Sequence, residues 1–284
     1  MTTATALHYA AFTDTPGGGN PAGVVLDGMV LDGAGLDDQR MLSIAATLGY
    51  SETAFLQHRG GNAYDVRYFS PLAEVPFCGH ATIASAVALA ERNGAGDLLF
   101  HTRAGPVPVA TRIRQGRIEA TLTSVAPTVE PATATLLADV LVALRWSDDE
   151  LDPALPPRIA YAGARHLVLA ARTRDRLARL DYDFEALRQH MLAADLTTVD
   201  LVWRESASVF HARNPFPVGG VVEDPATGAA AAAFGAYLRE LRLVAPPATV
   251  TIHQGHDMGR PSLLTVDIGE SGGIGVTGTA VAMA

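Results

Sequence analysis

The sequence predicts an α+β chain of two similar halves, each a curved, mostly antiparallel sheet wrapped around one central helix. Three observations carry this. Segments 80–92 and 229–241 are rich in helix formers and apolar on nearly every face, until Glu91 in the first and Arg239 in the second. A helix without a polar face has to be enclosed on all sides. Each is preceded by a similar turn, Glu74-Val75-Pro76-Phe77-Cys78-Gly79 and Glu223-Asp224-Pro225-Ala226-Thr227-Gly228, with Glu, Pro and Gly at the same offsets. The rest of the chain reads as short strands broken by Gly, Asn and Pro. A chance likeness between two Ala-rich helices is the competing reading of this weak repeat.

In the first half, HYAAFT (8–13) reads as a strand, GGGNPAG (17–23) as a turn-rich loop and VVLDG (24–28) as the next strand. Segment 37–48 starts at Asp37 and carries Met41, Ile44, Ala45 and Leu48 at the helical period, with Gly49 as its stop. TAFLQ, YDVRYFS, DLLFHT, VPVATRI and RIEATLT read as strands, and the central helix closes on Asn93-Gly94. The Pro- and Thr-rich stretch SVAPTVEP (124–131) marks the join, so the halves are expected at 1–124 and 131–275. In the second half, 134–145, 173–180 and 183–193 read as helices, and LDPALPP (151–157) as irregular. RIAYAG, HLVLAA, LVWRES, SVFHARN, ATVTIHQG and LLTVDIG read as strands. The tail, 276–284, is a last strand that fits either half and can join the first.

Composition narrows the function. The 284 residues are 48% hydrophobic, enough for one large core or two of ordinary size. The net charge is −9, from 21 basic and 30 acidic residues. The densest basic stretch, Arg172 to Arg179, is interrupted by Asp175. A nucleic-acid interface lacks its basic footprint. The lone cysteine, Cys78, permits no intramolecular disulfide and fits a reducing cytoplasm. The opening MTTATALHYAAF lacks the basic and apolar regions of a signal peptide. No uninterrupted apolar stretch reaches the ~18 residues of a membrane span. A cytoplasmic protein with no nucleic-acid or membrane partner is expected.

If the halves face each other, the N-termini of the two central helices converge on a cleft. Gly79 and Gly228 let the backbone come close to a ligand, and free N–H groups at Gly228 and Ala229 can cradle a carboxylate even in an acidic protein. The candidate side chains each have an ordinary alternative. Glu52, in Tyr50-Ser51-Glu52-Thr53, is a general-base candidate or a solvated junction residue, with Ser51 beside it. His80 is a proton-transfer group or a core histidine. Asp224 is an active carboxylate or an acid favoured by the helix dipole. Asn20 is a substrate donor or a turn asparagine. Cys78 is a thiolate base or a buried inert thiol. Gly17-Gly18-Gly19-Asn20-Pro21 lacks the Lys and Ser/Thr of a phosphate loop, and neither G-x-G-x-x-G nor G-x-S-x-G occurs in a fitting context. His253 and His256 are three apart, but the sequence nominates no third ligand. No metal and no cofactor are expected.

The segments GGGNPAGVV, YSETAFL, RYFSPLAEVPFCGHATIASA, VVEDPATGAAAAAFGAYL and QGHDMGRPS, in this order, resemble the phenazine-biosynthesis PhzF-like family from about residue 8 to the C-terminus. The resemblance implies the diaminopimelate-epimerase-like fold, a site between the halves and a homodimer. It implies catalytic roles for Glu52, His80 and Asp224 and a substrate contact for Asn20; Ser51, Gly79, Gly228 and Ala229 are expected beside them as substrate-binding positions. In the best-known member of the family that this chain resembles, the glutamate moves a proton between ring carbons of a dihydro-hydroxyanthranilate. This chain departs from the family's D-P-x-T-G-S at Ala229, which removes a hydroxyl. The expected function is a cofactor-independent isomerase acting on a small carboxylate-bearing substrate. Two alternatives stand beside it: an amino-acid racemase or epimerase pairing Cys78 with Asp224 or Glu52, and a non-catalytic binding protein with an eroded site.

Overall fold

A computed structural model describes residues 6–26 and 37–284. The chain divides into two compact units, Met1–Thr123 with Thr277–Ala284, and Ser124–Val276. The first unit runs through β1 (Leu7–Ala11), β2 (Asn20–Val25), α1 (Asp38–Leu48), β3 (Glu52–Gly60), β4 (Ala63–Phe69), β5 (Glu74–Val75), α2 (Gly79–Asn93), β6 (Asp97–Thr102), β7 (Gly105–Arg114) and β8 (Arg117–Thr123), and the chain returns at its end as β17 (Gly275–Ala282). β1 pairs with β2, β3 with β4, β6 with β7 and β7 with β8 antiparallel, while β2 with β3 and β4 with β6 are parallel. β17 pairs with both β1 and β8. The ladder therefore closes into an eight-stranded barrel, which leaves no edge among these strands to template aggregation.

Each parallel step needs a crossover, and helices supply them. α1 lies between β2 and β3. It starts where its period predicts, with Asp37 accepting from the Arg40 N–H at 2.8 Å, and stops at Gly49 in the left-handed region (φ 70°). α2 lies between β4 and β6 and fills the barrel. Every residue from Gly79 to Ala90 is buried, so the all-round apolar pattern is met by sheet on all sides. Its alanines admit close strand walls, while Ile83, Val87 and Leu89 fill the space between.

Residues 20–23 read as loop but open β2, with Pro21 opposite Ala10. Gly and Pro carry no strand signal of their own, and here pairing with β1 and β3 decides. Gly23 is required by close approach: a Cβ there would stand 2.8 Å from Leu48 Cδ1 and from Thr53 Oγ1. Asp27 and Gly28 of the expected VVLDG strand, and the first five residues, lie outside the described residues.

The second unit contains β9 (Thr128–Pro131), α3 (Ala134–Leu144), β10 (Arg158–Tyr161), β11 (Arg165–Ala170), α4 (Arg174–Ala178), α5 (Phe184–Ala193), β12 (Thr198–Arg204), β13 (Val209–Phe216), β14 (Val221–Asp224), α6 (Gly228–Glu240), β15 (Ala248–Gln254) and β16 (Ser262–Ile268). Residues 128–131, expected as part of the join, instead pair antiparallel with β10. The strands follow the order β9, β10, β11, β12, β13, β15, β16, with β11–β12 and β13–β15 parallel. α3 and α5 cover one face through Val140, Leu144, Leu187 and Met191, packed with Leu167, Leu169, Val199 and Leu201. α6 packs against β9, β10, β11 and β16, and is buried from Gly228 to Leu238. A strand buried on both faces reads as a continuous apolar run, as His166–Ala171 does.

The repeat read in the sequence is also a repeat of topology. In each unit a long strand meets a two- to four-residue antiparallel strand, then a central helix, then a strand parallel to the first: β4–β5–α2–β6 and β13–β14–α6–β15. The repeated glutamate has a structural reason. Glu74 takes a bidentate bond from Arg67 (2.8 and 2.6 Å), and Glu223 takes one from Arg213 (2.9 and 2.5 Å). Each clamp ties the short strand to the long one just before the helix begins.

Candidate active site

At one end of the first unit, β2, β3 and α2 bring five side chains together. Asn20 opens β2, Ser51 precedes β3, Glu52 opens β3, Cys78 is the N-cap of α2 and His80 lies in its first turn. Because β2 and β3 are parallel and Glu52 registers with Ala22, the two strand starts lie side by side. Asn20, Glu52, Cys78 and His80 are all buried. His80 Nε2 is 3.5 Å from Glu52 Oε2 and 3.3 Å from Ser51 Oγ. Cys78 Sγ donates toward Glu52 Oε2 at 3.6 Å and lies 3.3 Å from His80 Nδ1.

Hydrogen-bond chemistry assigns the histidine's proton. The Asn20 amide nitrogen is a donor only, and it stands 3.0 Å from His80 Nδ1. Nδ1 must therefore accept, and the proton resides on Nε2, facing Ser51 and Glu52. Burial pushes His80 down to about 3, so the ring is neutral near pH 7. Burial also raises the Glu52 carboxyl above its usual range, while bonds from Ser51 and Cys78 hold part of that rise back. A carboxyl moved toward neutrality and aimed at a neutral imidazole can exchange a proton with a bound molecule in either direction. The oxygen, sulfur and nitrogen donors of Glu52, Cys78 and His80 also lie within 4.8 Å of one another, a set whose donor types suit zinc or a similar divalent ion.

The second unit places Asp224, Gly228 and Ala229 around the start of α6. Asp224 is buried and accepts from Thr227 Oγ1 at 2.6 Å. Gln254 braces this turn: its Oε1 accepts from the Thr227 N–H at 3.0 Å, and its Nε2 donates to the Asp224 carbonyl at 2.8 Å and to Thr227 Oγ1 at 3.0 Å. Sequence reasoning gave Gln254 no role, although it opens the QGHDMGRPS segment. Cys78 entered only as an alternative, because nothing local reveals its approach to Glu52.

The two central helices differ from the others at their starts. α1, α3, α4 and α5 are each capped by a side chain, from Asp37, Thr133, Thr173 and Asp183. α2 and α6 have no side-chain cap hydrogen bond. Their first intrahelical bonds run from Thr82 N to Cys78 O and from Ala231 N to Thr227 O. The N–H groups of residues 79–81 and 228–230 thus have no acceptor within their own helices, the condition under which a helix N-terminus binds an anion.

A barrel closed around a helix, and a second sheet unit with the same order of elements, define an α+β fold of the epimerase-like class. The chain belongs to the family described as phenazine biosynthesis-like protein, whose profile matches residues 9–284. It is 32% identical over 293 residues to the Bacillus subtilis (strain 168) protein named uncharacterized isomerase YfhB, covering 99% of this chain and 97% of that one. It is 31% identical over 257 residues to the trans-2,3-dihydro-3-hydroxyanthranilate isomerase of Pseudomonas fluorescens, covering 89% and 86%. The crystal structure of the Bacillus anthracis PhzF-family phenazine biosynthesis protein superposes with a TM-score of 0.85 at 26% identity, over 100% of this chain and 98% of that one. The expected family and fold class are both met, and the chain is an isomerase of this family acting on a small molecule. No helix among the described residues is long and apolar enough to cross a membrane.

Proposed function

We propose that this isomerase moves a proton on a small carboxylate-bearing substrate without a cofactor, with Glu52 as general base and then general acid. The observation that carries the reading is the buried Glu52 carboxyl, 3.5 Å from the Nε2 of a neutral His80. His80 and Ser51 orient the substrate and steady developing charge. The uncapped N–H group of Gly79 takes an anionic group; within the second unit, Asp224 is the catalytic carboxylate and Gly228 and Ala229 are the anion donors of the same reading. Ala229 offers the substrate no side-chain hydroxyl, only its backbone N–H. The reading includes a cytoplasmic location and a homodimer, and light scattering on the purified chain checks the homodimer.

The test is deuterium uptake. Wild type and Glu52→Gln are incubated in deuterated water with carboxylated ring compounds and amino acids, followed by mass spectrometry. Uptake that vanishes in Glu52→Gln supports the reading; undiminished uptake in the variant overturns it.

The position of Cys78 favours a second reading. Its sulfur is 3.6 Å from Glu52 and 3.3 Å from His80, so a thiol and a carboxyl form a mixed acid–base pair for racemisation or epimerisation. Loss of uptake in Cys78→Ser, with an amino acid as the exchanging substrate, selects this reading.

A further inference from the structure

His253 and His256 lack a third ligand in the sequence, and the fold supplies one. β13 and β15 are parallel neighbours, and His211 registers directly with His253. Paired residues on adjacent strands project to the same face of a sheet. His256 returns to the same place through Gly255, whose φ of +74° reverses the chain. That turn accepts only glycine, since a Cβ there would stand 2.2 Å from the Arg260 carbonyl oxygen and 2.7 Å from that of Pro225. The ring centroids lie 5.1 Å apart for His211–His253, 5.4 Å for His253–His256 and 6.5 Å for His211–His256.

Those spacings put three imidazoles within reach of one ion once His256 moves inward. With zinc–nitrogen bonds of about 2.1 Å and tetrahedral angles, two imidazoles on one ion have centroids about 5 Å apart. Two of the three pairs stand near that separation; His211 and His256, at 6.5 Å, must draw closer for one ion to join all three, and the exposed His256 is the side chain that has to move. His211 is arranged as a metal-ligating histidine is: its Nε2 is held 2.5 Å from Glu205 Oε2, while its Nδ1 is buried with no hydrogen-bond partner. A carboxylate on one ring nitrogen fixes the tautomer and leaves the other as a lone pair. The other charges nearby are Asp257 and Arg174, which pair with each other at 2.8 Å.

We propose that His211, His253 and His256 form a site for one first-row divalent transition-metal ion, with Glu205 orienting His211. The site is independent of the proton-transfer groups and lies wholly within the second unit. It sits on the segment whose intervening residue Gln254 braces the Asp224–Thr227 turn. A bound ion would tie β13, β15 and that turn together and raise the unit's thermal stability.

The experiment must separate this site from the Glu52–Cys78–His80 donor set. Tag-free chain carrying Cys78→Ala is titrated with Co²⁺ and with Zn²⁺, and binding is followed by calorimetry and visible spectroscopy. The expected result is one ion per chain, with cobalt d–d bands and no sulfur-to-cobalt charge transfer. His253→Ala and the exposed-site His256→Ala, made in the same background, each weaken binding at least tenfold, and Glu205→Gln weakens it about tenfold. Circular dichroism checks that the variants are folded. Absence of binding in Cys78→Ala, or binding there that His253→Ala and His256→Ala leave unchanged, overturns the proposal.

Discussion

Asn20 Nδ2 stands 3.0 Å from His80 Nδ1, and this contact decides which nitrogen of the histidine carries the proton. Replacing Asn20 by Asp turns the donor into an acceptor and draws the proton to Nδ1. His80 then presents a lone pair, not an N–H, to Ser51 and Glu52. The expected result is a loss of proton-exchange activity of roughly 10²–10⁴-fold, as where a catalytic histidine is held in the wrong tautomer. Nitrogen-15 NMR of His80 should show Nε2–H in wild type and Nδ1–H in Asn20→Asp. An unchanged tautomer would remove Asn20 from this role.

Glu52 is buried beside a neutral ring, so its charged form has no cationic partner to offset desolvation. Its folded pKa lies above the unfolded value. The stability it contributes is therefore present below the usual carboxylate range and is lost as pH rises through the raised folded value. Glu52→Gln keeps the shape and removes this loss. The variant should match wild type near pH 4 and be more stable than wild type at pH 8. Thermal unfolding at the two pH values checks this, and a variant less stable at both would refute it.

The two Arg–Glu clamps give a graded prediction. Arg213 and Glu223 are both buried, and removing one partner of such a pair leaves an uncompensated charge. Glu223→Ala should destabilise the second unit by about 3–5 kcal/mol. Arg67 is more exposed, and Glu74 also pairs with Arg103 at 2.8 Å. Glu74→Ala should therefore cost clearly less, since water rehydrates the freed arginines. Urea denaturation of the two variants measures the order, and the reverse order would show that the clamps do not set it.

The central helices, their preceding turns and most strands were legible because an all-apolar helix and period-two strands leave local marks. The opening of β2 was not, since Asn20–Gly23 carries Gly and Pro, and only pairing on both sides makes it a strand. The same holds for Thr128–Pro131, read as part of a join. Among candidate site residues, Glu52, His80 and Asn20 were nominated by motif, yet their meeting depends on a parallel strand pair that sets Ala22 beside Glu52, far apart in sequence. Gln254 and the third histidine, His211, left no local signal, because each acquires its partners only through β13–β15 pairing.

A buried polar chain in the second unit gives the last prediction. His166 Nδ1 lies 2.8 Å from Thr198 Oγ1, which donates to Asn214 Oδ1 at 2.6 Å, and Asn214 Nδ2 donates to Asp200 Oδ1 at 3.0 Å. Asn214 in turn registers with Asp224 across β13–β14. Burial raises Asp200 to about 7 and lowers His166 to about 3. The signs oppose each other. Asp200 is raised, so its stability contribution is present below about 4 and lost as pH climbs toward 7. His166 is depressed, so its contribution is present above the usual imidazole range and lost as pH falls from about 6.5 toward 3. Asp200→Asn should flatten the loss between pH 4 and 7 and stabilise the unit at pH 8. His166→Gln should flatten the loss on the acid side. Melting temperatures of both variants from pH 4 to 8 test this, and an Asp200→Asn profile parallel to wild type would show that this carboxyl keeps an ordinary pKa in the fold.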